Sequence, residues 1–357
     1  MEFALTEEQQ LLQQSLRRML KDAAHLPGQA PALERAAEYS TKLAEIGAFG
    51  ALVGQSHGGS GLGLLEASLI SEEIGRACAP CSWHSAGVMI PLALNAFKAP
   101  IAQDYATKMM HSELRFGLAV SHSIVDRAGF GVDLDRGNNR LSGRSLMAID
   151  SPSADAGADV WLISTEAGLY LVEPEAAGLS TRPMPSIDKQ RAFSELLLEQ
   201  VAAVQLTDQQ QFQTIMQAGR IALAAETLGA AEHMMYRAVE YALEREQFGQ
   251  VIGSFQAVKH LCAEMAAELE PLRSLFWLAA HYWDIKNEQA AWLSCQLCAL
   301  AAEVGSFIAR TATEVHGGIG FTQEYGLHAW YKRMGVNRQL LGSPERMREQ
   351  AAMLQGL

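Results

Sequence analysis

The sequence predicts an α+β protein in the order helices, strands, helices, and three observations predict it. Residues 6–111 carry apolar positions at helical spacing; residues 113–204 change to short alternating or wholly apolar runs split by Gly, Asp, Asn and Pro; from Thr207 the helical period returns in long runs. The expected organisation is an N-terminal all-α domain over 1–112, a middle β-barrel or sandwich over 113–205 and a C-terminal antiparallel four-helix bundle over 206–357.

Each element has a local reason. "TEEQQLLQQSLRRML" opens with a Thr6/Gln9 capping box and repeats Leu11, Leu12, Leu16, Met19 and Leu20 on one helical face. Further helices are expected over 31–48, 63–78 and 84–97, with the loop "GQSHGGSGLG" (Gly54 to Gly63) between the first two. That loop is not a dinucleotide fingerprint, because its glycines do not follow G-x-G-x-x-G and no strand precedes it. "LRFGLAV", "DVWLIST", "GLYLVE" and "SELLLEQVAAVQL" read as strands. The last segment predicts helices over 207–246, 254–286 and 288–314, then shorter ones over 323–334 and 344–354. The first three exceed the usual helix length, and long neighbours joined by short connections imply a bundle.

Composition bounds the function. With 49% hydrophobic residues the chain of 357 residues can bury sizeable cores. Its formal charge of −12, with no run of like charges, argues against nucleic acid or an anionic membrane as partner, so an anionic ligand would need local Arg or Lys. "MEFALTEEQQ" has no basic stretch followed by an apolar one, and no apolar run approaches the ~18 residues that span a bilayer, so a cytosolic protein is expected. Two Cys-x-x-Cys pairs, Cys78/Cys81 and Cys295/Cys298, superficially suggest zinc or redox chemistry. The second lies inside "AWLSCQLCALAAEV", where a three-residue step puts two small apolar side chains on one helix face; both pairs are expected to be buried and structural, with no metal.

Two stretches carry chemistry. "YALEREQFGQVIGSFQAVKHLCAEM" joins two long helices through a glycine-bearing turn, placing Arg245, Gln247 and Phe248 at the end of one and Gln256 near the start of the next. A lone Arg245 would pair with Glu244 or Glu246 on a solvated face. The guanidinium fork, the amide and exposed glycine backbone at one helix junction instead form a diphosphate grip. In "EVHGGIGFTQEYGLHAWYKR", Gly317, Gly318 and Gly320 let backbone approach a ligand, with a new helix expected from about Thr322. A glycine-rich helix stop also accounts for them, and His316 is expected to be satisfied at the helix end rather than to act as a base.

The order helices, β, helices, with "REQFG...FQAVKH", "HGGIGFTQEY" and "GGSGLGLLEASLISEEIGRACAP", resembles the acyl-CoA dehydrogenase family over essentially the whole chain. The resemblance implies an FAD-dependent enzyme that oxidises the Cα–Cβ bond of an acyl-CoA substrate. A Glu carboxylate takes the α-proton, the flavin N5 accepts the β-hydride, and an electron-transfer flavoprotein is the later acceptor. In such tetramers each FAD lies at a dimer interface, its flavin end on one subunit and its diphosphate and adenosine end on the neighbour. The neighbour's share resembles Arg245, Gln247, Phe248 and Gln256, with Glu314 and the Gly317-Gly318 turn. Glu314 stands where the family usually has Gln, and a carboxylate is unwelcome beside a phosphate unless it hydrogen-bonds the adenosine or ribose. The flavin share departs further. An acidic-Pro-Gly-x-Gly-Ser-Asp turn is replaced by "AVSHSIVDRAGFG", leaving Ser121 and Ser123 as hydroxyls, and Met147 and Ile149 occupy the positions of the Trp and Thr beside the flavin.

Neither family position for the base holds a carboxylate. One, just before a Gly-Ser pair, is Leu341; the other, just before an Arg that resembles Arg220, is Gly219. Without a base, roughly 10²–10⁴ in rate is forfeited. Glu226, seven residues beyond Gly219, and Glu345, four beyond Leu341, are the possible substitutes by helix face, although Glu226 is displaced ~10 Å along the axis and Glu345 is expected on a solvated face with Arg346 and Arg348. The expectation is therefore a base-lacking subunit of a heteromeric α2β2 enzyme, paired with a sister chain carrying the Glu. "LLGSPER" and the short β segment are similar to such subunits in bacterial steroid side-chain degradation, which act on bulky CoA thioesters. The alternatives are a homotetramer using Glu226 and a non-redox CoA-thioester-binding relative.

Overall fold

The structure is a computed structural model and describes residues 4–21, 32–81, 83–120, 130–149 and 157–357. The N-terminal part holds α1 (Glu7–Leu20), α2 (Ala32–Glu45), α3 (Leu64–Ala77), a π-helix (Trp83–Met89), α4 (Ile90–Ala96) and α5 (Ile101–Met110). The Thr6/Gln9 capping box forms as the sequence requires. The start of α3 is capped from far away, since the Asp284 carboxylate accepts from the Leu64 and Leu65 amides at 2.6 and 3.2 Å.

The middle segment contains β1 (Phe116–Ala119), β2 (Gly131–Asp135), β3 (Arg140–Ile149), β4 (Val160–Thr165), β5 (Gly168–Val172), β6 (Leu179–Met184), β7 (Phe193–Ala202) and β8 (Val204–Gln205). All eight join one mixed sheet in the order β6-β7-β3-β1-β4-β5-β8, with β2 on β3; β1 and β4 are parallel. Irregularities between Leu141 and Gly143 and between Ser145 and Ala148 bend β3. The sheet thereby curves over its own apolar cluster of Val132, Leu141, Trp161, Ile163, Tyr170 and Leu198. Its other face, with Phe116, Leu118, Leu162 and Phe193, merges into the helical core.

The last part holds α6 (Gln209–Glu244), a two-residue-per-strand hairpin of β9 (Glu246–Gln247) and β10 (Gln250–Val251), α7 (Gln256–Asp284), α8 (Ala290–His316), α9 (His328–Leu340) and α10 (Pro344–Leu354). Asp208 caps α6 in a capping box with Gln211. Helix α6 packs against α3, α7, α8 and α9, and its crossing with α3 is set by two glycines. A Cβ on Gly75 would lie 1.9 Å from the Glu226 carbonyl, and one on Gly229 would lie 1.9 Å from the Glu72 carbonyl, so either side chain would force the helices apart.

Three expectations change. Among the described residues, Ala290–Phe321 is long and apolar enough to cross a membrane by length and composition, contrary to the expectation that no run approaches that length. Here it is the core helix of the bundle, flanked by α6, α7, α9 and α10. A 3₁₀ turn covers Gly317–Phe321, and the helix expected from Thr322 begins instead at His328, because a turn over 323–325 and a positive-φ Gly326 (+79°) intervene. Strands β2, β3 and β6 lie outside the runs read as strands, β2 and β6 carrying no apolar run and β3 only the short LMAI at its end. All four cysteines of the Cys-x-x-Cys pairs are buried, and burial pushes Cys78 up to about 12 and Cys298 to about 11.

Candidate functional site

The two expected base positions meet in space. A Cβ built on Gly219 would lie 3.2 Å from Leu341 Cδ1 and 2.6 Å from Met89 Sδ, so Leu341 from the end of α9 and Met89 from the π-helix fill the place beside Gly219. Leu341 and Met89 are both fully buried. The turn after Leu341 is shaped as expected: Gly342 has φ +122° and the Ser343 hydroxyl accepts from the Arg346 amide at 3.3 Å, capping α10. Arg220 is buried and serves this turn, its Nε donating to the Leu341 carbonyl at 3.2 Å. The two expected base positions thus share one apolar filling.

Leu341→Glu is therefore expected to destabilise without creating a dehydrogenase. The new carboxylate would enter a dry contact between Met89 and Gly219 at a cost of about 3 kcal/mol or more, softened only as far as Arg220 can turn to it. A drop in melting temperature with no gain in acyl-CoA-dependent dye reduction is the expected result; restored turnover would refute the occlusion.

Glu226 lies in an ion cluster that is poorly suited to a substitute base. It is fully buried, and its carboxylate accepts from Arg191 Nη2 at 2.9 Å, from Arg333 Nη1 at 2.7 Å and from His84 Nε2. Arg333 Nε also donates to Asp188 at 2.5 Å, and Arg191 Nη1 to Asn337 at 2.9 Å. Burial alone would raise the Glu226 pKa, but the Arg191 and Arg333 charges and the hydrogen bond from His84 outweigh it and hold the carboxyl well below the usual range. Burial lowers the His84 pKa, so the neutral ring donating through Nε2 fits. Two guanidiniums then balance two carboxylates. A general base needs reach to its proton and a pKa near the working pH, and Glu226 has neither. Glu345 is exposed and pairs with Arg338 at 2.8 Å rather than with Arg346 or Arg348.

Sequence reading missed Met89, His84, Arg191 and Arg333. Only Arg333 left a trace, as a charge in the same helical stretch as the buried Trp330 and Met334. Met89 is 130 residues from Gly219 and gave none.

The expected grip residues form two exposed pieces. Arg245 ends α6, its amide donating to the Tyr241 carbonyl at 2.8 Å, and no carboxylate among the described residues pairs with its guanidinium. The Glu244 or Glu246 pairing is thus not made. The hairpin turns at Phe248 (φ +53°) and Gly249 (φ +78°), which puts Phe248 at its tip, 94% exposed and edge-on to Phe255 at 6.2 Å. Gln247 is exposed on the hairpin, and Gln256 is exposed as the first residue of α7. The second piece is the end of α8. Glu314, Gly317 and Gly318 are exposed, and a Cβ on either glycine would meet nothing within 4 Å. They border a cleft of about 750 Å³ whose walls include Thr313, Phe321 and Lys332. The pieces touch through Tyr241, whose ring stacks on His316 at 4.8 Å.

On the flavin side, Ile149 is buried and paired with Leu118, while Met147 sits at φ +53° with its amide against Met184 Sδ at 3.3 Å. Neither side chain offers a polar atom. Ser121 and Ser123 lie outside the described residues.

The acyl-CoA dehydrogenase N-terminal domain model matches residues 6–109 and the C-terminal domain model matches residues 210–354. The chain belongs to the acyl-CoA dehydrogenase family, whose members are FAD flavoproteins. Among its relatives is the acyl-CoA dehydrogenase IpdE2 of Mycobacterium tuberculosis, 28% identical over 348 residues that cover 95% of this chain and 94% of IpdE2. Among solved structures, a variant of the Tcur3481-Tcur3483 steroid ACAD is 25% identical, with a TM-score of 0.86 over 98% of both chains. The ChsE4-ChsE5 complex from Mycobacterium tuberculosis shares the fold at 22% identity, with a TM-score of 0.87 over 100% of this chain and 99% of that one.

The described residues fit one end of FAD better than the other. Arg245, without a carboxylate partner among the described residues, the bare Gly317-Gly318 turn and the adjoining cleft suit a diphosphate and adenosine. Among the described residues on the flavin side, Met147 and Ile149 present apolar side chains to an isoalloxazine. When bound, FAD supplies the hydride acceptor.

Proposed function

We propose that this chain is the base-lacking, FAD-gripping subunit of a heteromeric α2β2 acyl-CoA dehydrogenase, with a sister subunit supplying the catalytic Glu and the flavin end of the pocket. The observation that carries the reading is the packing of Leu341 and Met89 against Gly219, which leaves both base positions apolar and closed. The burial of Glu226 in its ion cluster counts against it as a substitute. Arg245, Gln247, Phe248 and Gln256, with Glu314, Gly317 and Gly318, reach out to FAD whose isoalloxazine lies in the partner. Glu314 faces the ribose or adenine, whose hydroxyls and amine can donate to a carboxylate, rather than the phosphates.

Kinship with a structure described as a steroid ACAD with two named components supports a steroid or other bulky acyl-CoA as substrate of the assembly. A relative named as the CarC subunit of the caffeyl-CoA reductase-Etf complex of Acetobacterium woodii, 26% identical over 320 residues, supports an electron-transfer flavoprotein as acceptor. A cytoplasmic location fits such a partner.

The test is to purify the chain alone and together with the product of the neighbouring gene, then count flavin by absorption. About one FAD per two chains in the mixed complex, and none bound tightly by the chain alone, is the expected result. A yellow, active homotetramer of this chain would sink the proposal, and flavin absent from every assembly would favour a non-redox CoA-thioester binder.

A further inference from the structure

His316 is the last residue of α8, and its buried ring is bonded on both nitrogens. Nδ1–H donates to the Ala312 carbonyl at 2.7 Å, which leaves Nε2 to accept from the Tyr325 hydroxyl at 3.0 Å. The ring lies against Tyr241 at 4.8 Å and 25° and against Tyr325 at 4.9 Å, and the Arg237 guanidinium sits 4.7 Å over the Tyr325 ring. Burial and the Arg237 charge lower the His316 pKa, in keeping with the neutral tautomer that these bonds require.

The neighbours of this cluster are what give it a consequence. Tyr241 lies one helical turn before Arg245 and accepts that residue's amide hydrogen bond. His316 directly precedes Gly317, whose φ of +63° starts the bare turn. Gly317 and Gly318 have no side chains with which to anchor themselves, and the turn instead folds back on His316, a Cβ on Gly320 lying 3.0 Å from His316 Cβ. The hairpin carrying Arg245 and Phe248 and the turn carrying Gly317 and Gly318 are some 70 residues apart in sequence, and this aromatic stack joins them.

We propose that His316 is a positioning residue for the cofactor site: through Tyr241 and Tyr325 it holds the Arg245 hairpin in register with the Gly317-Gly318 turn, so that both engage one dinucleotide. The proposal rests on the FAD-gripping role proposed above. Two pieces held in place before binding lose less freedom on binding than two that move independently, so loosening the stack weakens the dinucleotide without removing any group that touches it. Neither His316 nor Tyr325 is given a chemical step.

The experiment measures FAD affinity, by recovery of flavin fluorescence on dilution, and melting temperature at saturating FAD, in the flavin-loaded assembly that contains this chain. His316→Ala removes the stack and both bonds, while Tyr325→Phe removes only the hydroxyl and is the variant expected to fold normally. His316→Ala is expected to raise the FAD Kd by about tenfold or more, and Tyr325→Phe by about threefold with little change in melting temperature. Combined with Arg245→Ala, His316→Ala should add much less than its own tenfold, because both act on the same contact. If both variants lower the melting temperature but leave the Kd within about twofold, the cluster only stabilises the fold and the positioning role falls. If Arg245→Ala itself leaves the Kd unchanged, the gripping role fails as well; if Arg245→Ala strips FAD and the His316 and Tyr325 variants do not, the positioning role alone is overturned.

Discussion

Glu226→Gln is expected to cost about 3–5 kcal/mol of folding stability, because it removes one of two carboxylates that balance two buried guanidiniums. The amide keeps the shape but meets Arg191 and Arg333 with one acceptor oxygen and two donor hydrogens, leaving buried positive charge uncompensated. Urea denaturation at neutral pH measures the loss. A catalytic base would respond in the opposite way, with stability held and turnover abolished. Little change in stability, with lost acyl-CoA-dependent dye reduction, would return Glu226 to the role of base. The same ion cluster sets a pH dependence. The Glu226 pKa in the folded chain lies well below its ordinary 4.5, so protons bind the unfolded chain more readily. Its contribution is therefore complete above about pH 5 and is lost as pH falls below 4.5 towards the depressed folded value. In Glu226→Gln that part of the acid sensitivity should disappear.

What the sequence made legible follows from how local each signal is. The Thr6/Gln9 box, the helical period and the long runs after Thr207 depend on neighbours within about four residues, and those elements form close to where they are expected. Strand β6, "LSTRPM", is mostly exposed and contains Pro183, and β3 is bent by bulges with Met147 at positive φ, so neither presents an alternating pattern. At the site, the residue types at 219 and 341 are readable as non-basic, and Arg245 and Gly317-Gly318 as polar and bare. Their meeting in pairs is not. That Met89 reaches Gly219, that Arg333 reaches Glu226 and that Tyr241 lies on His316 depend on helix crossings such as the glycine contact of α3 with α6, which no local window encodes. Glu226 shows the limit most clearly. Helix-face arithmetic allows it to point towards Gly219, and only the packing of His84, Arg191 and Arg333 around it shows that it is already used.

Arg245→Ala is expected to weaken FAD binding by roughly tenfold to a hundredfold, the range for losing a charge-assisted pair of hydrogen bonds to phosphate worth about 1.5–3 kcal/mol. The side chain is exposed and has no carboxylate partner among the described residues, so its removal costs the fold little and the effect should appear in flavin content rather than in secondary structure. A chain of net charge −12 repels a diphosphate at long range, which makes one unpaired guanidinium at the ligand matter more than in a basic protein. The measurement is the 450 nm absorbance that survives gel filtration of the assembly, repeated at rising salt. Arg245→Lys should retain an intermediate amount, since an ammonium keeps the charge without the planar fork. Because the proposed sister subunit supplies the isoalloxazine end of each pocket, flavin should leave both sites of the tetramer although only this chain is altered. Loss from half the sites would mean that each chain completes a pocket of its own, and unchanged flavin content would remove Arg245 from the site.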